Sequence, residues 1–166
     1  MKQFLVTGIF LVFLVSLVSP VAAQSGGQQP NQSEEIAQGR AMVRAARDEI
    51  IRSELQLTEV EAADFWPLYE EYRGETDQVM NRLGDLIAEY LRRYDAADLT
   101  NEYADELVRN HIQIRKDLLA IQERSLPLFG KVIPALKVAR FYQLENKINA
   151  DIDIQLALAI PLVDPT

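Results

Sequence analysis

The chain has no cysteine and a single histidine, His111. Disulfide frameworks, thiol nucleophiles and Cys–His pairs are thereby excluded, and a structural zinc site, which draws its ligands mostly from Cys and His, lacks its donors. His111 falls on the apolar stripe of a helix and is expected to be packed or to sit in an interface. No glycine-rich phosphate loop occurs, so no nucleotide is bound by that route. Asp151-Ile152-Asp153 opens like a calcium loop, but the sixth position is Leu156 where glycine is needed and the twelfth is Leu162 where glutamate is needed. Carboxylates are plentiful, yet their spacing singles out no pair for general acid–base work. The chain therefore reads as a non-enzyme that needs no cofactor and no metal.

Excess positive charge is also missing. A net charge of −8 argues against nucleic acid as a partner, because phosphate neutralisation requires a basic surface. Hydrophobicity nowhere alternates with period two for long enough to make a strand. The one long apolar run, Phe4 to Val18, covers about 15 residues, short of the roughly 20 that cross a bilayer as a helix. With Lys2 before it and Val21-Ala22-Ala23 after it, this run reads as a signal peptide over residues 1–23, cleaved after Ala23. The expected location is periplasmic, with no stable membrane insertion after cleavage. No cysteine follows to carry a lipid.

What remains is helical. Residues 24–33, rich in Gln, Gly and Pro, read as a disordered leader. Residues 34–158 read as an all-α domain of about four helices built on an elongated antiparallel hairpin. The first helix is expected from about Glu34 to Leu55, capped by Ser33, with a thin apolar stripe of Ile36, Val43, Ala46 and Ile50. Its other face carries Arg40, Arg44 and Arg47, spaced so that all three project from one side. Thr58-Glu59-Val60-Glu61 is a capping box and fixes the start of the second helix. The apolar stripe of that helix steps through Tyr69, Tyr72, Thr76, Val79, Leu83, Leu86 and Tyr90, and Pro67 is expected to bend it near Phe65-Trp66-Pro67. Thr100 caps a third helix with Ala104, Leu107, His111, Ile114, Leu118 and Ile121 on one stripe. Pro127-Leu128-Phe129-Gly130 is expected to break or kink it. Pro134 suits the first turn of a fourth helix running to about Leu156. Residues 159–166 form an extended tail, with Ile160-Pro161-Leu162-Val163 laid against a groove.

Two surface constellations stand out. Phe65, Trp66, Tyr69 and Tyr72 occupy nearly every side of two helical turns, so one buried stripe cannot take all four; they serve either core and dimer contact or capture of exposed apolar chains. The Arg40, Arg44, Arg47 face is either a solvated face with local ion pairs or a positive strip that steers acidic or unfolded partners.

Leu57-Thr58-x-x-Glu61 at the start of a long helix resembles the LTxxQ motif of the Spy/CpxP family of periplasmic stress proteins, with Glu61 in place of the motif glutamine. A second motif is reduced to Ile133-Pro134-Ala135-Leu136-Lys137, preceded by Gly130-Lys131-Val132 and followed by Phe141. The likeness spans roughly Ile36 to Lys147. It implies a bent antiparallel homodimer whose concave face holds partly unfolded periplasmic clients without ATP, or an adaptor that restrains a single envelope sensor kinase. On that resemblance the client-binding residues are Arg40, Arg44, Arg47, Phe65, Trp66 and Tyr69. Relatives that bind metals imply nothing here, since the His and Cys ligands are missing.

Overall fold

The computed structural model describes the backbone of residues 32–164, and the side chains of all of these except 32–37 and 40. The segment read as a signal peptide, most of that read as a leader, and the last two residues lie outside the described residues. Among the described residues, four helices follow in order: α1 (Gln32–Leu55), α2 (Glu59–Asp95), α3 (Asn101–Val132) and α4 (Ala135–Ala159). No strand occurs among the described residues. The connections are short, so neighbours run antiparallel, up, down, up and down. At about 1.5 Å per residue, α2 is roughly 55 Å long and α3 roughly 48 Å, which makes their hairpin the long axis of the molecule. No helix among the described residues is long and apolar enough to cross a membrane.

The starts of α2, α3 and α4 each have a local cause. The Thr58 capping box is complete: the Glu61 N–H donates to the Thr58 hydroxyl at 3.3 Å, and the Thr58 N–H donates to the Glu61 carboxylate at 2.8 Å. The Thr100 hydroxyl caps α3 by accepting from the Tyr103 N–H at 3.2 Å. Pro134 sits one residue earlier than expected, as the cap of α4, where its carbonyl accepts from the Lys137 and Val138 N–H groups.

The α2 helix continues past Pro67, and α3 continues past Pro127 to Val132, so the break expected in α3 does not occur. The carbonyls that lose a partner belong to Ala63 and Glu123, and these residues, like both prolines, lie exposed, where water can take over the bond. At its other end, α1 begins at Gln32, inside the segment read as leader, and α4 continues to Ala159, past Leu156.

The core concentrates where the start of α2, the ends of α1 and α3, and the start of α4 converge. Phe65 is the hub: its ring lies 5.8 Å from Tyr69, 5.3 Å from Phe129 and 5.4 Å from Phe141. Tyr72 packs edge-on against both Phe129 and Phe141. Ile51 and Leu55 close this cluster from α1, while Val79, Leu83, Ile114 and Ile121 extend it along the hairpin.

Candidate functional site

The expected client-binding residues are placed by the fold in three different situations. Phe65 and Tyr69 are completely buried, so neither offers a surface to a client. The four aromatics do exceed one stripe: α1, α3 and α4 together surround that part of α2, burying Phe65, Tyr69 and Tyr72 and leaving Trp66 partly exposed. Even Trp66 has one face covered by the Arg52 guanidinium, 3.8 Å from the ring centroid.

The arginine strip is likewise dispersed. Arg47 is buried, with 4% of its side chain exposed, and pairs at 2.9 Å with Glu145, which is 1% exposed. Arg44 is occupied by Glu70 at 2.6 Å and Asp77 at 3.0 Å. The Arg40 side chain lies outside the described residues. Of the motif residues, Thr58 and Glu61 form the cap and Leu57 packs against the core. Lys137 joins the two motif-like segments: its ammonium donates to the Gln56 carbonyl at 2.9 Å and pairs with the Glu61 carboxylate. The hydrogen bond from Lys137, and then that from the Thr58 N–H, hold the Glu61 carboxyl below its usual range. His111 is exposed on α3 and not packed within this chain.

Two features that the sequence did not single out remain. The first is a buried polar cluster centred on Glu145. One oxygen of its carboxylate accepts from Arg47 and, at 3.3 Å, from the Tyr72 hydroxyl, with Arg73 3.9 Å away. Arg47 also donates to the Asn149 side-chain oxygen at 2.8 Å, and Arg73 pairs with Asp77. Tyr69 donates to Asp48 at 2.7 Å. Burial, reinforced by these carboxylates, pushes the Tyr69 and Tyr72 hydroxyls far up, and burial beside Glu145 pushes Tyr142 up to about 12. Above this cluster opens a cleft of about 320 Å³ between α2, α3 and α4, with Met80, Leu83, Leu118 and Ile152 among its apolar walls and Arg115 paired with Asp153 beside them.

The second is a row on α3. Val108, Ile112, Leu119 and Leu126 are 57, 49, 54 and 49% exposed. The last three are seven residues apart, so the row lies nearly in line on the side of α3 away from its buried residues Ile114, Ile121 and Phe129. Arg109, Arg115 and Lys116 flank it. Among the described residues, no group of three or more His, Asp or Glu is placed to hold a metal ion.

Comparison with known protein families, curated proteins and solved structures finds no match to this chain.

Proposed function

We propose that this protein is an exported, ATP-independent chaperone-like or stress-adaptor protein that captures partly unfolded chains, and that it does so with the α3 row and not with the aromatic and arginine residues first suggested by sequence. The observation that carries this reading is the row itself: Val108, Ile112, Leu119 and Leu126 stand half-exposed on one face, interleaved with Arg109, Arg115 and Lys116. Apolar residues repeated along the solvent side of a helix have no folding role in this chain, and contiguous apolar exposure marks interaction surfaces. The flanking cations keep the surface soluble and add contacts to acidic segments. Capture by such a narrow, mixed surface is weak enough to reverse without an energy source. The resemblance of Leu57-Thr58-x-x-Glu61 to the Spy/CpxP motif points the same way, as does the leader read as a signal peptide.

A second reading draws on the heptad spacing of Ile112, Leu119 and Leu126. A seam of that width suits one amphipathic helix, whether from a dedicated envelope partner or from a second copy of the chain. The test is light scattering by a denatured model substrate without ATP. Wild-type protein in several-fold excess is expected to suppress aggregation, and Ile112→Asp with Leu119→Asp is expected to abolish suppression while leaving helicity intact, since both side chains are already in contact with water. Unaltered scattering in the presence of wild type ends the chaperone reading, and a single stoichiometric partner in a pull-down selects the second.

A further inference from the structure

We propose that the far end of the α2–α3 hairpin, beside Tyr90, is a docking site for an extended apolar segment of an unfolded chain, and that this protein's own tail, residues 160–163, occupies it until displaced. The client role rests on the capture reading, whereas the site itself is tested without it. Lengths place the site. Lys137 pairs with Glu61, so α2 and α4 run side by side from a common end. The α4 helix stops at Ala159, about level with Leu83, since each stands equally far beyond that ion pair, while α2 goes on to Asp95. Past that level Leu86, Ile87 and Leu91 are half-buried and Tyr90 is buried, although α4 has ended. The tail takes over there. Ile160 leaves the helix in an extended conformation, at φ −85° and ψ 121°, as the residue before a proline prefers. At about 3.3 Å per residue, against about 1.5 Å in a helix, the tail reaches toward Tyr90. The Tyr90 hydroxyl donates to the Pro161 carbonyl at 2.8 Å.

The manner of that contact defines the occupant. Tyr90 recognises main chain, a carbonyl that every peptide offers, at a residue with no N–H of its own to satisfy. Ile160 and Pro161, on either side of the bond, are apolar and half-buried. An extended apolar segment is also what an unfolded chain exposes, so the tail stands where a client can stand. Its hold is slight. Leu162 is 88% exposed and Val163 45%, so these two side chains contribute little burial, and a segment that lays more apolar surface along α2 displaces the tail. A helical segment is unsuitable, because its carbonyls are already engaged within the helix.

The probe is a fluorescent peptide of residues 157–164, blocked at both ends, titrated into the full-length protein and followed by anisotropy and amide chemical shifts. Ile160→Ser with Val163→Ser in the protein loosens the tail without changing charge. That variant is expected to bind the peptide one to one, with shifts in residues 83–95, which lie outside the α3 row. Wild type is expected to bind at least about threefold more weakly, because its own tail competes from within the same molecule. Tyr90→Phe, placed in the loosened variant, keeps the buried ring and is expected to weaken the peptide by about threefold or more at unchanged helicity. Ile112→Asp with Leu119→Asp is expected to leave peptide binding as in wild type. The proposal is overturned if the loosened variant shows no saturable binding at millimolar peptide, or if the peptide carrying Ile160→Ser, Leu162→Ser and Val163→Ser binds as well. It is overturned equally if wild type binds as tightly as the loosened variant, if the shifts fall in residues 108–126, or if the row substitutions abolish binding. If wild type leaves aggregation unsuppressed while the peptide binds as stated, the capture reading fails and the docking site stands.

Discussion

A carboxylate as deeply buried as that of Glu145 persists only because the cluster around it supplies charge and donors together. Removing water from an ion costs several kcal/mol, and the attraction of Arg47 and Arg73 with the Tyr72 hydroxyl offsets that cost without leaving a large surplus. Taking away one partner is therefore far worse than never having had the pair. Glu145→Leu strands the buried Arg47 guanidinium and is expected to lower stability by about 3–5 kcal/mol, measured by urea unfolding. Arg47→Glu is expected to do at least as much damage, since it sets two carboxylates against each other in the core. This cluster was not legible in the sequence. Arg40, Arg44 and Arg47 share a helical face, and charged residues are nearly always exposed, so Arg47 read as part of a surface strip. The residue that draws it inward stands 98 positions away. A single sequence holds no sign of that pairing.

The helices themselves were largely legible where local chemistry decides and misread where tertiary contacts decide. The capping box at Thr58 and the three-and-four spacing of Tyr69, Tyr72, Thr76, Val79 and Leu83 announced α2, and these five residues are buried in it. Thr58→Ala is expected to cost about 1 kcal/mol in thermal or urea unfolding, the usual loss for a hydroxyl cap. On α1 the predicted stripe of Val43, Ala46 and Ile50 is displaced by one residue: Arg47, Ile51 and Leu55 face inward. The stripe was thin, and discounting Arg47 as a surface residue moved the apparent face by about 100°. Pro127 was overweighted as a breaker, because its cost depends on whether water reaches the carbonyl it deprives. The end of α2 is closed without glycine. Ala97 takes the left-handed conformation at φ 52°, with its N–H donating to the Tyr94 carbonyl and that of Asp98 to the Arg93 carbonyl. An L side chain is strained there, so Ala97→Gly is expected to raise stability by up to about 1 kcal/mol, seen as a higher urea midpoint at unchanged slope.

At the scale of the whole molecule, the ends of the helices are tied by contacts that respond to pH. Glu61 belongs to the cap of α2 and, through Lys137, to the start of α4. Its folded value lies below the ordinary 4.5, so its contribution is fully present above that value and is lost as pH falls through the lower, folded one. The melting temperature of wild type is expected to exceed that of Glu61→Gln at pH 7, and the gap is expected to close in acid, well below pH 4.5. A gap that persists unchanged to pH 2 rules out the ionised carboxylate as its source. The all-helical hairpin was legible as a whole because it follows from patterning along the chain; the association of α1 with α4 was not, because it joins residues 98 positions apart. That separation, described above as geometry, also sets an order of events. The α2–α3 hairpin closes between neighbours in sequence, whereas α1 finds its buried partner only after Glu145 exists. A chain emerging from its N-terminus at about 5–20 residues per second holds Arg47 without its buried partner for about 5–20 seconds across those 98 residues. The first helix is thus completed only when the fourth arrives. In refolding kinetics, Leu55→Ala is expected to act mainly by speeding unfolding, while Val79→Ala in the hairpin is expected to slow folding itself.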